Sequence, residues 1–136
     1  MEKRGIHIGT GVILGEGVHL DDRVWIENCA QIGDGATIWR DTTIGIGTII
    51  EAGTEIGENV WIGNYTTIKE DVLIEDYTMI GHRTKIMAYV NIGAGVDIGN
   101  GVTVGSIASI ENGVRIRSGS HVADCATIEN HYTVEN

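Results

Sequence analysis

The sequence predicts an all-β chain wound into a solenoid of very short strands, a single domain over residues 1–136. Three observations carry that prediction. Stepping by six from Ile8 to Val134, all 22 positions are aliphatic: 17 Ile, 2 Leu and 3 Val. An amphipathic helix needs apolar spacings of three and four, and a half-buried strand needs two. A strict six therefore describes a short strand plus a turn, repeated without insertion. Two residues before each aliphatic as far as Ile128, a second inward site is small or β-branched, as at Val24, Ala30, Ala36, Thr42, Thr48 and Thr54, because side chains alternate across a strand. Three residues after each aliphatic comes a turn site rich in glycine, as at Gly11, Gly17, Gly35, Gly47 and Gly53. Glycine tolerates the positive φ that a sharp corner is expected to need.

Composition agrees with this reading. The interior alternates large Ile with small Thr, Val or Ala, which leaves no room for Phe, and the chain has none. It also has no Pro, which would remove ladder hydrogen bonds from strands paired on both edges. The net charge of −10 argues against nucleic acid as a partner, since phosphate binding needs clustered Lys and Arg. It argues equally against an anionic membrane surface. The start "MEKRGIHIG" has no apolar leader and no run approaches a spanning helix, so a soluble cytoplasmic protein is expected.

The hexads from Ile8 to Val134 resemble the hexapeptide-repeat ("isoleucine-patch") family over essentially the whole chain. The resemblance implies a left-handed parallel β-helix of about seven triangular coils, three hexads per coil, with no inserted loops. Coils stacked at about 4.8 Å would put Cys29 and Cys125 roughly 25 Å apart, far beyond the ~7 Å a disulfide allows. The last stretch, "HVADCATIENHYTVEN", reads as a coil closed with polar groups, as a solenoid end requires. His7, His19, His121 and His131 read as surface or end-cap residues.

For activity, the resemblance implies an acyl- or acetyltransferase, typically a homotrimer acting on a small-molecule substrate. Coenzyme A or acyl carrier protein would be the acyl donor, an amino-sugar-type compound the acceptor, and no cofactor would be tightly bound. In that family a corner histidine two residues after an inward aliphatic serves as general base. "IGHRTKI" places His82 there, and imidazole suits proton transfer near neutral pH. The amino-sugar acetyltransferase pattern continues His-Asp-Cys, where this chain has Arg83 and Thr84. Residues 86–102, "IMAYVNIGAGVDIGNGV", resemble the segment "MAYVHIAHDCVIGNNV" of UDP-N-acetylglucosamine acyltransferases. That family's two histidines, the catalytic base among them, fall on Asn91 and Ala94.

The region around His82 also departs from the repeat on its own terms. From 59 to 89 the turn site reads Asn59, Tyr65, Asp71, Tyr77, Arg83, Tyr89, with no glycine in six hexads. Lys69, Arg83 and Lys85 fall in the same stretch. Local rules that lapse together point to a functional or interface role. Eighteen-residue spacing stacks Asn64, His82 and Asn100 at one corner and Tyr65 with Arg83 beside them. These residues give a candidate site: His82 as base, Asn64, Tyr65 and Asn100 as positioning groups, and Arg83 or Lys85 for donor phosphates. Two alternatives stand beside it. One is a non-catalytic scaffold or assembly module, an idealised or engineered repeat among the possibilities; there Lys69, Arg83 and Lys85 would simply pair with Glu70, Asp71 and Glu75. The other is a gamma-class carbonic anhydrase-like zinc protein using His82. Its second ligand would fall on Met87, a poor zinc ligand, and no third histidine lies on a neighbouring coil, so no metal site is expected.

Overall fold

The computed structural model describes residues 5–130 and 133–134. Each hexad forms a two-residue strand, from His7–Ile8 to Thr133–Val134. Every third strand pairs in parallel, and the 22 strands build three sheets of eight, seven and seven. These sheets are the faces of a triangular prism. Face A contains Trp25–Ile26 and Trp61–Ile62, face B contains Thr67–Ile68 and Lys85–Ile86, and face C contains Leu73–Ile74 and Asn91–Ile92. Each step of eighteen residues climbs one coil, and no helix among the described residues is long and apolar enough to cross a membrane.

The interior is the aliphatic column expected from the period. Ile26, Ile44, Ile62, Ile80 and Ile98 are buried on face A, and the other faces repeat the pattern. Burying an Ile side chain is worth about 2–3 kcal/mol. The small inward residues have a further task, which polarity alone does not announce. Buried Thr42, Thr48, Thr54, Thr66, Thr78 and Thr84 each donate Oγ1 to a carbonyl fifteen residues on, as in Thr66 to Gly81 at 2.7 Å. The same hydroxyls accept an N–H from the coil above, Thr84 N to Thr66 Oγ1 at 3.3 Å for one. Among the described residues no buried side-chain polar atom lacks a partner. At the lower end, inward Ile8 and Leu14 are exposed because no described coil lies beneath them.

Every turn site from residue 5 to 125 has positive φ, whatever residue stands there. Ten are glycine, and the other eleven include Tyr65 (59°), Arg83 (55°) and Ile107 (68°). The corner geometry is therefore imposed by coil closure, and glycine only lowers its cost. A β-branched residue such as Ile107 is the costliest occupant. Cys29 and Cys125 are free and exposed at such corners. His131 lies outside the described residues.

Candidate functional site

The site grows from a rule of the corners. At nine of them among the described residues, a side chain two residues after the inward aliphatic accepts the backbone N–H of the residue eighteen earlier. Eight of these acceptors are Asn, Asp or Ser, and the ninth is His82. The longest unbroken run lies where face A turns into face B. Ile46 N donates to Asn64 Oδ1 (2.9 Å), Asn64 N to His82 Nδ1 (2.7 Å), His82 N to Asn100 Oδ1 (2.8 Å) and Asn100 N to Ser118 Oγ (2.9 Å). Each acceptor lies where the Cβ of a residue nineteen earlier would sit, so that residue is glycine. A Cβ on Gly63 would lie 2.6 Å from His82 Nδ1 and 2.7 Å from its backbone nitrogen.

This places the sequence-derived residues as follows. Asn64, His82 and Asn100 stack in one column, as the eighteen-residue spacing predicts. Half-buried His82 uses Nδ1 as an acceptor, so in its neutral form the proton is on Nε2. Its ring meets Trp61 edge-on, with centroids 5.4 Å apart at 80°. The amide oxygens of Asn64 and Asn100 are engaged in the ladder, which leaves Nδ2 of each as the group available to a ligand. Beside the column, Tyr65 lies over Gly47, and the Arg83 guanidinium sits over the Tyr65 ring at 5.4 Å. That contact contributes about 0.5–1 kcal/mol at an exposed position and holds the guanidinium in place. Lys85 lies on face B between Thr67 and Thr103. Lys69 pairs with Glu51 one coil below at 3.3 Å, rather than with the sequence-adjacent Glu70, Asp71 or Glu75.

The positions that align with the histidines of the UDP-N-acetylglucosamine acyltransferase segment lie elsewhere. Asn91 is on face C and Ala94 at the corner leading into face A. A depression beside Ala94 is lined by Glu55, Glu75 and Asp76 together with Trp39 and Leu73, an acidic surface that would repel a phosphate-bearing donor. One to two coils above His82, another open depression is lined by Asp97, Gly99, Arg115, Arg117 and Ser118. Among the described residues no three His, Cys, Asp or Glu side chains converge as a metal site.

The bacterial transferase hexapeptide model (six repeats) matches residues 53–86, the stretch that holds most of the column. The chain has the fold of the hexapeptide-repeat β-helices. No curated protein sequence matches it significantly. Among solved structures, it is similar to UDP-N-acetylglucosamine acyltransferase from Francisella novicida, with TM-score 0.70 and 24% identity over 97% of this chain and 58% of that one. A hexapeptide transferase family protein from Anaplasma phagocytophilum gives TM-score 0.63 and 20% identity over 88% of this chain and 76% of that one. PerB from Caulobacter crescentus, solved with CoA and GDP-perosamine, gives 0.56 and 15% over 93% and 52%. At these identities the likeness establishes the hexapeptide β-helix fold alone. The chain spans about three-fifths of the length of the Francisella enzyme.

The nine-fold corner ladder is what sequence reasoning missed. Its signal is a glycine followed nineteen residues later by Asn, Asp, Ser or His, as in Gly45 with Asn64, Gly63 with His82 and Gly81 with Asn100.

Proposed function

We propose that this hexapeptide-repeat protein is an acyltransferase that moves an acyl group from coenzyme A or acyl carrier protein to an amino-sugar-type acceptor. The observation that carries the proposal is the grouping at one corner of an imidazole, an edge-on indole and an arginine held on a tyrosine, in a chain of net charge −10. Arg83, with Lys85 on the adjoining face, meets the donor's phosphates. Asn64, Tyr65 and Asn100 shape the acceptor's approach. His82 stands as the general base, taking the acceptor's proton at Nε2 as the nucleophile attacks the thioester carbonyl; the C–S bond then breaks and the departing donor thiolate takes that proton from the imidazolium. The resting hydrogen bond sets a condition on that step: Nε2 is free to accept only when the bond from Asn64 N to Nδ1 opens. A homotrimer supplies the second wall of the cleft, which one prism with open faces lacks.

The same hydrogen bond favours a second reading. Asn, Asp or Ser forms the same rung at eight other corners, and a rung needs no chemistry. On that reading the chain is a scaffold or assembly module. Coenzyme A discriminates the two. Saturating coenzyme A is expected to raise the melting temperature, since a ligand at 100 times Kd stabilises by about 2.7 kcal/mol, and Arg83→Ala is expected to remove the shift. No shift at millimolar coenzyme A, or one indifferent to Arg83→Ala, would rule out the transferase reading.

A further inference from the structure

The outward column of face A carries a feature that extends below the His82 corner and shares only Trp61 with it. His7, Trp25, Thr43 and Trp61 follow one another up it, one coil apart. The rings of His7 and Trp25 stack at 3.9 Å with 17° between their planes. The Trp25 indole therefore stands off the sheet with its faces turned along the prism axis, and Nε1 is held by Glu27 at 2.9 Å. His7 covers the lower face. The upper face looks towards the level of Thr43, whose short side chain is half-buried. Trp61 rises one coil higher, steadied by the edge contact with His82. Both indoles stay well exposed, Trp25 at 45% and Trp61 at 37%.

Spacing decides what fits between them. Coils about 4.8 Å apart put Trp25 and Trp61 about 9.6 Å apart. A planar ring over Thr43 would have an indole one coil away on each side. That is the relation His7 already has to Trp25, where the rings draw in to 3.9 Å. Two inserted rings would need three stacking intervals of about 3.5 Å or more, which exceeds the gap. We infer that Trp25, Thr43 and Trp61 form a slot for one planar heteroaromatic ring, the nucleobase of a nucleotide ligand. The indole faces supply the stacking surface, and the Thr43 hydroxyl offers a donor and an acceptor to the ring edge. The ligand's identity rests on the transferase reading: a coenzyme A donor brings adenine, and a sugar-nucleotide acceptor brings its own base.

Phosphate-free nucleosides test the slot without engaging Arg83. The three tryptophans of the full chain report through their emission during titration with adenosine or uridine. Saturable quenching is expected, at least tenfold weaker in Trp61→Leu and in Thr43→Phe, whose ring fills the slot from the chain's own side. Trp25→Leu gives the same loss should Thr43→Phe fail to fold. Preference for adenosine assigns the slot to the donor, and preference for uridine to the acceptor. Absence of saturable quenching by either nucleoside, or affinity unchanged by the slot variants, overturns the inference. Should coenzyme A still stabilise through Arg83 in that case, the transferase reading survives the loss of the slot. Nucleoside binding without any coenzyme A effect would leave the slot and remove the transferase.

Discussion

His82→Asn is expected to leave stability within about 0.5 kcal/mol of the parent while lowering acyl transfer by about 10²–10⁴-fold, the usual contribution of a general base. The Oδ1 of Asn occupies the acceptor position that Asn64 and Asn100 already fill one coil below and above. His82→Ala is expected to lose the same activity and, in addition, about 1 kcal/mol of stability, because Asn64 N–H is left without its acceptor. The pair thus separates the imidazole's chemistry from its role as a rung. Thermal or urea unfolding reads the first quantity. Thiol release from acetyl-CoA in the presence of an amino sugar reads the second. An Asn variant that keeps both stability and turnover would reduce His82 to a ladder residue and leave the scaffold reading in possession.

Gly63→Ala is the second large effect, and it acts through space rather than chemistry. The added Cβ would lie 2.6 Å from His82 Nδ1, 2.7 Å from His82 N and 2.8 Å from Gly81 C. Two of those three atoms are backbone, so no rotamer change relieves the contact and the coils must separate locally. A loss of about 3 kcal/mol is expected, at the upper end for overpacking, together with displacement of His82 and loss of activity. Gly101→Ala is the control. Unlike Gly63 it sits at positive φ (66°), but nothing lies within 4 Å of its Cβ position, so only the left-handed backbone cost of about 1–2 kcal/mol applies. Denaturant midpoints for the two variants check the difference. Equal losses would mean that the ladder does not set the coil spacing.

The interior was legible in the sequence because a strict period of six leaves one way to bury every sixth aliphatic residue. Ile80 needed no structure to be placed. The corners were only half legible. Glycine at Gly47 or Gly101 announces positive φ, but Tyr65 and Arg83 adopt it too, because closing the coil dictates the backbone there. The partners of charged residues were misread for a related reason. In this fold the nearest neighbour of a side chain is eighteen residues away, one coil up or down, while adjacent residues point to different faces. Lys69 therefore finds Glu51 and not Glu70. The stacking of Asn64, His82 and Asn100 followed from that same spacing. What no spacing reveals is which ring nitrogen of His82 turns inward, since that depends on the N–H of Asn64 reaching it at 2.7 Å.

The central claim is that the His82 corner binds an acyl donor. A crystal structure of the protein grown with coenzyme A tests it most directly. The account predicts density for the ligand along this corner, with a phosphate within hydrogen-bonding distance of Arg83 or Lys85 and the thiol within reach of His82. Coenzyme A bound elsewhere on the prism, or a corner left empty at saturating ligand, would contradict it.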